Sequence, residues 1–132
     1  GGWAGTATPC SNGGAIASIG VSWPILTSLF QNTRATGSGA NPPKPGTPGG
    51  GNGGAIYNDG NSMALRVEGT KIAANRSNGE GGSAIFFVSN DRSGTVDVQG
   101  SVIRNNTGDG FSTHPSIFFL GQRITFSDSV IR

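Results

Sequence analysis

Seven acids and one histidine are the side chains from which hydrolytic chemistry would have to be assembled in this sequence: Asp59, Glu68, Glu80, Asp91, Asp97, Asp109, Asp128 and His114. Two carboxylates working as acid and base must converge on a single bond. His114 stands in Thr113-His114-Pro115 without a carboxylate beside it in sequence, and no serine lies in a nucleophile elbow. Asn90-Asp91-Arg92-Ser93-Gly94 sets an acid and a base side by side in a polar stretch. Asp and Gly suit a turn there, and a loop leaving a rigid frame is also where Asp91, Arg92 and, in its own loop, His114 would meet a ligand. Cys10 is the only cysteine, which excludes an internal disulfide and a cysteine-type zinc site. It reads as a small residue near the N-terminus or as a bridge to a segment outside this chain. No catalytic residue, metal ligand or cofactor is assigned.

What positions these residues is a repeat. Gly54-Ala55-Ile56 opens one copy, Leu65 to Ile72 follows, and Asn75 closes it; Ser83-Ala84-Ile85, Val96 to Ile103 and Asn106 make the next. Equivalent residues are 29 apart at the opening (Ile56 to Ile85) and 31 apart in the body (Val67 to Val98). Short apolar alternations at such a period, punctuated by glycine, mark a solenoid of stacked coils. Gly13-Gly14-Ala15-Ile16 with Leu29 and Asn32 forms an earlier copy. Ser116 to Leu120 with Ile124 to Arg132 begins a fourth, which stops two residues before its expected Asn. None of the seven acids falls at a position matched by another acid in a neighbouring copy.

Within each copy the apolar residues fall two apart. Leu65 and Val67, Val96 and Val98, and Ile124 and Phe126 share one face, while Arg66, Asp97 and Thr125 take the other. Stacked in parallel, these strands give an apolar interior and a polar outer column with Arg66 over Asp97. At the corner, an asparagine tolerates left-handed angles and both donates and accepts through its amide. Asn32, Asn75 and Asn106 are therefore expected to form a hydrogen-bonded ladder, with the hydroxyls of Thr70, Ser101 and Ser129 stacked in the same way. The expected architecture is all-β, with about four coils from residue 13 to 132. Residues 1–12 form an irregular segment or cap, and a Pro/Gly-rich loop over residues 33–52, with Pro42, Pro43, Pro45 and Pro48, is inserted in the first coil.

Composition narrows the partners. Of 132 residues, 33% are hydrophobic, 12% are charged and 24 are glycine, too little apolar material for a thick core but enough for a narrow one repeated along an axis. The net charge of +2 is spread singly, with no basic run to track a phosphate backbone, so nucleic acid is not expected as a partner. No apolar run reaches the length of a membrane span. The chain opens at Gly1 without an initiator Met or a signal-like segment, as expected of a processed chain or a fragment.

Gly13 to Ile16 with Asn32, and Gly53 to Ile56 with Asn75, resemble the Gly-Gly-Ala-Ile and apolar-x-x-Asn repeats of right-handed parallel β-helix proteins, in particular secreted bacterial proteins with polymorphic-outer-membrane-type repeats. The resemblance is looser at Ser83 to Ile85 with Asn106. It implies the right-handed coil and a secreted or cell-surface location, and it spans adhesins, passenger domains and polysaccharide-degrading enzymes. Two functions follow as expectations. The first is a non-catalytic structural or adhesive module that stacks at its open coil ends, on another copy or on the remainder of a longer chain. The second is a carbohydrate-binding or polysaccharide-degrading β-helix whose partners are glycans.

Overall fold

A computed structural model of the chain describes residues 3–4, 12–36, 51–77, 81–108 and 112–132. The four prolines of the expected loop, Cys10, Glu80 and Asp109 lie outside the described residues. Among the described residues every regular element is a strand. In chain order these are β1 (Trp3–Ala4); β2 (Ile16–Ile19), β3 (Trp23–Leu26), β4 (Leu29–Gln31) and β5 (Arg34–Ala35); β6 (Ile56–Gly60), β7 (Ala64–Glu68), β8 (Lys71–Ala73) and β9 (Arg76–Ser77). There follow β10 (Ile85–Ser89), β11 (Thr95–Gln99) and β12 (Val102–Arg104), then β13 (Ile117–Leu120), β14 (Arg123–Ser127) and β15 (Val130–Ile131).

All strand pairing is parallel and connects each strand to its counterpart in the next repeat. Three sheets are four strands deep, in the orders β13-β10-β6-β2 (sheet I), β14-β11-β7-β3 (sheet II) and β15-β12-β8-β4 (sheet III); β1-β5-β9 forms a shorter one. The set of strands contributed by one repeat is called a tier below. The molecule is thus an all-β stack of parallel sheets, consistent with a β-solenoid.

Registers follow the period-two pattern. Ile16, Ile56, Ile85 and Ile117 form one column, Ile25, Val67, Val98 and Phe126 another, and Phe30, Ile72, Ile103 and Ile131 a third. Side chains from sheets I, II and III meet in one core cluster, in which Ile56, Val67, Ile72, Ile85, Val98, Ile103 and Ile117 are fully buried. Each such residue contributes about 1.5–3 kcal/mol by leaving water, so a narrow core repeated tier on tier replaces a thick one. The opening glycines serve this stacking directly. Gly13, Gly53 and Gly82 have φ of 73°, 67° and 50°, and a Cβ on any of them would run into the carbonyl oxygen of the isoleucine three residues on.

The first copy is shifted by one residue from the expected alignment. Phe30, not Leu29, pairs with Ile72, and Leu29 faces Lys71. The tier continues through Thr33, which is buried, and β5, which pairs with both β1 and β9, so the stack includes residues at the start of the expected insertion and within the N-terminal segment. Adjacent apolar residues leave the inward one undecided in a linear pattern, and a slip of one residue exchanges the two faces. The aromatic ring of Phe30 packs against the core cluster, while Leu29 stays exposed.

One interior position breaks the apolar rule. The column Ser18, Asn58, Phe87, Phe119 points inward, and both amide atoms of the fully buried Asn58 lack a hydrogen-bond partner. A buried polar group without a partner costs about 1–3 kcal/mol. Asn58→Val is therefore expected to stabilise the fold by about 1 kcal/mol, read as a raised urea midpoint with an unchanged slope; a lowered midpoint would mean that the amide is satisfied in solution.

Candidate functional site

The polar side chains that the sequence singles out are placed mainly at the corners, where the backbone leaves its ladder. After sheet III, the chain turns through left-handed residues Asn32, Ala74 and Asn105, with φ of 57°, 57° and 55°. The next residue in each tier supplies the ladder. Thr33 N–H and hydroxyl donate to Asn75 Oδ1 at 2.9 and 2.8 Å; Asn75 N–H and Nδ2 donate to Asn106 Oδ1 at 3.0 and 2.9 Å. Asn75 Nδ2 also donates to Phe30 O, and Asn106 Nδ2 to Ile72 O. Asn75 and Asn106 stack as expected, but Asn32 does not. Thr33 takes its place, and Asn32 is the exposed corner residue one step earlier, because the left-handed turn and the ladder position are adjacent positions rather than one.

The hydroxyl column is in register and one member longer than anticipated. Ser28 N–H donates to Thr70 Oγ1 at 3.2 Å, Thr70 N–H to Ser101 Oγ at 3.1 Å, and Ser101 N–H to Ser129 Oγ at 3.0 Å. Each hydroxyl in turn donates to the carbonyl two residues before it. Every bond of the N–H ladder runs from one tier to the following one. Ser28 was legible once Leu26 is aligned with Glu68, the register that β3 and β7 adopt.

Asp91 and Arg92 lie in the connection from β10 to β11. Asp91 Oδ1 accepts from Ser93 N–H at 3.0 Å, Ser93 Oγ at 2.7 Å and Ser89 Oγ at 3.0 Å, the geometry of an Asx turn. These bonds, the Ser93 hydroxyl first and its N–H second, lower the carboxyl pKa below the usual 3.8 although the group is exposed. Arg92 adopts φ 62° and its N–H closes the turn on Ser89 O. Ser89, fully buried, anchors the loop by donating to Asn61 O and accepting from Gly94 N–H.

His114 stands at the entry to β13. Its N–H donates to Ile117 O and its carbonyl accepts from Ile117 N–H, closing a reverse turn with Pro115 second and left-handed Ser116 third, the arrangement a type II turn requires. The ring has Nδ1 3.0 Å from Thr113 Oγ1 and lies 5.4 Å from the ring of Phe126. Asp91 and Arg92 are held by Ser89 and Ser93, and His114 by Thr113, Ile117 and Phe126; the bonds of these residues tie each to its own turn rather than to a shared centre.

The outer faces differ by sheet. On sheet I, Tyr57, Phe86 and Phe118 stack with centroids 5.2 and 4.9 Å apart and are buried, a second apolar cluster outside the core that the sequence reading did not anticipate. Sheet II is polar. Arg66 and Asp97 are in register as expected, yet the ion pair of Arg66 is with Glu68 on its own strand at 3.2 Å. Asp97 instead accepts from Thr125 in the following tier at 2.8 Å and from Gln99 at 2.7 Å. Asp59 accepts from Tyr57 at 2.9 Å and from Asn90 of the following tier at 3.1 Å. No group of three or more His, Cys, Asp or Glu able to hold a metal ion is found among the described residues. No family model, curated protein or solved structure matches this chain.

Removing the amide of Asn75 leaves the buried Thr33 N–H without its acceptor, while the Thr33 hydroxyl keeps its bond to Gly54 O. Asn75→Ala is expected to cost about 2–4 kcal/mol in urea unfolding, whereas Asn32→Gly, exposed and already left-handed, stays within about 0.5 kcal/mol. Equal costs would contradict the observed ladder.

For Asp91, a depressed folded pKa means that its contribution to stability is present above the ordinary value of 3.8 and is lost as pH falls through the lower folded value. A carboxyl carbon NMR titration is expected to place its midpoint below 3.8, and Ser93→Ala to move it back up.

Proposed function

We propose that this chain is a non-catalytic structural or adhesive module, a right-handed parallel β-helix of about four coils with the Pro/Gly-rich segment inserted in the first. The observation that carries this reading is how the polar side chains are used. Thr33, Asn75 and Asn106, the Ser28 to Ser129 hydroxyls, Asp97 with Thr125, and Asp59 with Asn90 all join one tier to the next. Side chains placed to hold repeats in register serve a scaffold, and the acid and base of the β10 to β11 connection serve its turn. The resemblance of Gly13 to Ile16 and Gly53 to Ile56 to secreted bacterial repeat proteins supports a secreted or cell-surface setting.

A glycan-binding reading has one observation in its favour, the outer face of sheet II. There Arg66, Gln99, Arg123 and Thr125 are exposed around Asp97 on a regular strand surface that offers donors and acceptors at tier spacing. The two readings separate on incubation with a panel of acidic and neutral polysaccharides. No new reducing ends, no unsaturated products and no glycan-dependent rise in Tm are expected. Product formation that disappears in Asp97→Asn would replace the scaffold with an enzyme, and a saturable Tm rise lost in Arg66→Ala would replace it with a lectin-like module.

A further inference from the structure

Cations that stand far apart in the sequence are brought together at one corner of the stack. The chain passes from sheet III to the short sheet through the left-handed residues Asn32, Ala74 and Asn105, and in each of these tiers an arginine stands one or two residues from that corner. Arg34 and Arg76 follow it, in register with one another on β5 and β9. Arg104 precedes it at the end of β12, and Arg132, whose N–H donates to Ile103 O, takes the same place in the fourth tier. Lys71 lies close by on sheet III, where alternation about the inward Ile72 and Ile103 turns Lys71 and Arg104 outward. Tiers rise by about 4.8 Å, so the arginines form a row along the stack with one positive charge at each step.

Among the described residues no acid answers this row. Asp59 belongs to sheet I, Asp97 to sheet II and Asp91 to the β10 to β11 connection, while Glu68 and Asp128 come before sheet III, at its other corner. The ion pair of Glu68 is with Arg66, and none of Arg34, Lys71, Arg76, Arg104 and Arg132 forms one. Arg34 and Arg76 are exposed like charges one tier apart, which repel unless an anion lies across them. Arg104 is half-buried, and its Nε has no hydrogen-bond partner.

We infer that this corner and the outer face of sheet III dock on an anionic lipid surface, the arginines meeting headgroup phosphates and the apolar side chains beside them entering the headgroup boundary. The inference gives the adhesive side of the proposed module its surface and rests on that reading. Guanidinium forks match phosphate oxygens in pairs. The outward column that contains Lys71 is otherwise apolar, with Leu29 61% exposed, Val102 half-buried and Val130 45% exposed. Basic and apolar side chains on one exposed face are the composition of an interfacial element. A soluble polyanion would engage the arginines and leave Leu29 and Val130 in water. Among the described residues the combination is confined to this side, since Ile19, Val88 and Leu120 on sheet I share their column with Asp59, and sheet II carries both signs of charge.

The row lies on a turn of the chain rather than in a groove. Asn32, Ala74 and Asn105 are exposed at its apex, so the basic side chains project where an extended surface can reach several tiers at once. Each basic residue close to an anionic leaflet raises partition about fivefold. Contact through a few such residues is reversible, and it weakens steeply as salt screens the surface.

Co-sedimentation of the 132-residue chain with phosphatidylcholine vesicles containing about one third phosphatidylglycerol is the test. At about 0.05 M salt the chain is expected to bind these vesicles and not vesicles of phosphatidylcholine alone, and to be released at about 0.5 M. Arg34→Gln and Arg76→Gln, both on exposed positions with circular dichroism unchanged, are each expected to lower the partition coefficient about fivefold. Arg123→Gln removes the same charge from sheet II and is expected to change it by less than about twofold. Leu29→Ser is expected to lower it at least about threefold. No binding to the anionic vesicles, equal binding to both kinds of vesicle, an equal loss in Arg123→Gln, or undiminished binding in Leu29→Ser, the mark of a site for a soluble polyanion, would overturn the inference. The non-catalytic reading fails separately, on polysaccharide turnover that disappears in Asp97→Asn, whatever the vesicles show.

Discussion

At each corner the chain leaves its ladder and exposes backbone N–H groups that buried surroundings do not forgive, and the structure depends on how those groups are satisfied. At the two corners that flank sheet III the answer is the same: a short polar side chain from the following tier accepts. Asn75 does this for Thr33, Asn106 for Asn75, and the hydroxyls of Thr70, Ser101 and Ser129 for the residues above them. An unpaired buried N–H is costly enough that a tier slipped by one residue would lose both corner ladders at once. Register is therefore held at the corners as much as by the apolar columns between them.

This arrangement accounts for the composition. A glycine-rich chain with a third of its residues hydrophobic builds no thick core, but each tier needs only a handful of inward side chains because its neighbours above and below complete their burial. It also shapes the surface. Three of the described acids are spread over separate tasks, with Asp91 holding a turn, Asp97 bonded to the next tier and Asp59 to Asn90.

Much of the architecture was legible beforehand. The columns of Val67, Val98 and Phe126 and of Ile56, Ile85 and Ile117 follow from alternation at a fixed period, and the hydroxyl column follows from the same alignment. The first copy was less legible because Leu29-Phe30 offers two apolar residues for one inward position, and the choice of Leu29 moved the expected ladder residue from Thr33 to Asn32. Arg66 was correctly set over Asp97, but opposite charges in register do not have to pair. Glu68 on the same strand face meets the guanidinium at 3.2 Å, while Thr125 and Gln99 occupy Asp97.

The linear sequence by itself determined that the chain is all-β, that its strands recur about every thirty residues, and which residues alternate between two faces, because period-two patterning and glycine punctuation are local properties. Tertiary structure alone decided which of two adjacent apolar residues turns inward, which side chain meets each corner N–H, and that charged Asp59 and Lys71 sit between tiers whose matching positions are apolar. Those outcomes depend on what the next tier brings to the same height, and that neighbour lies some thirty to forty residues away along the chain.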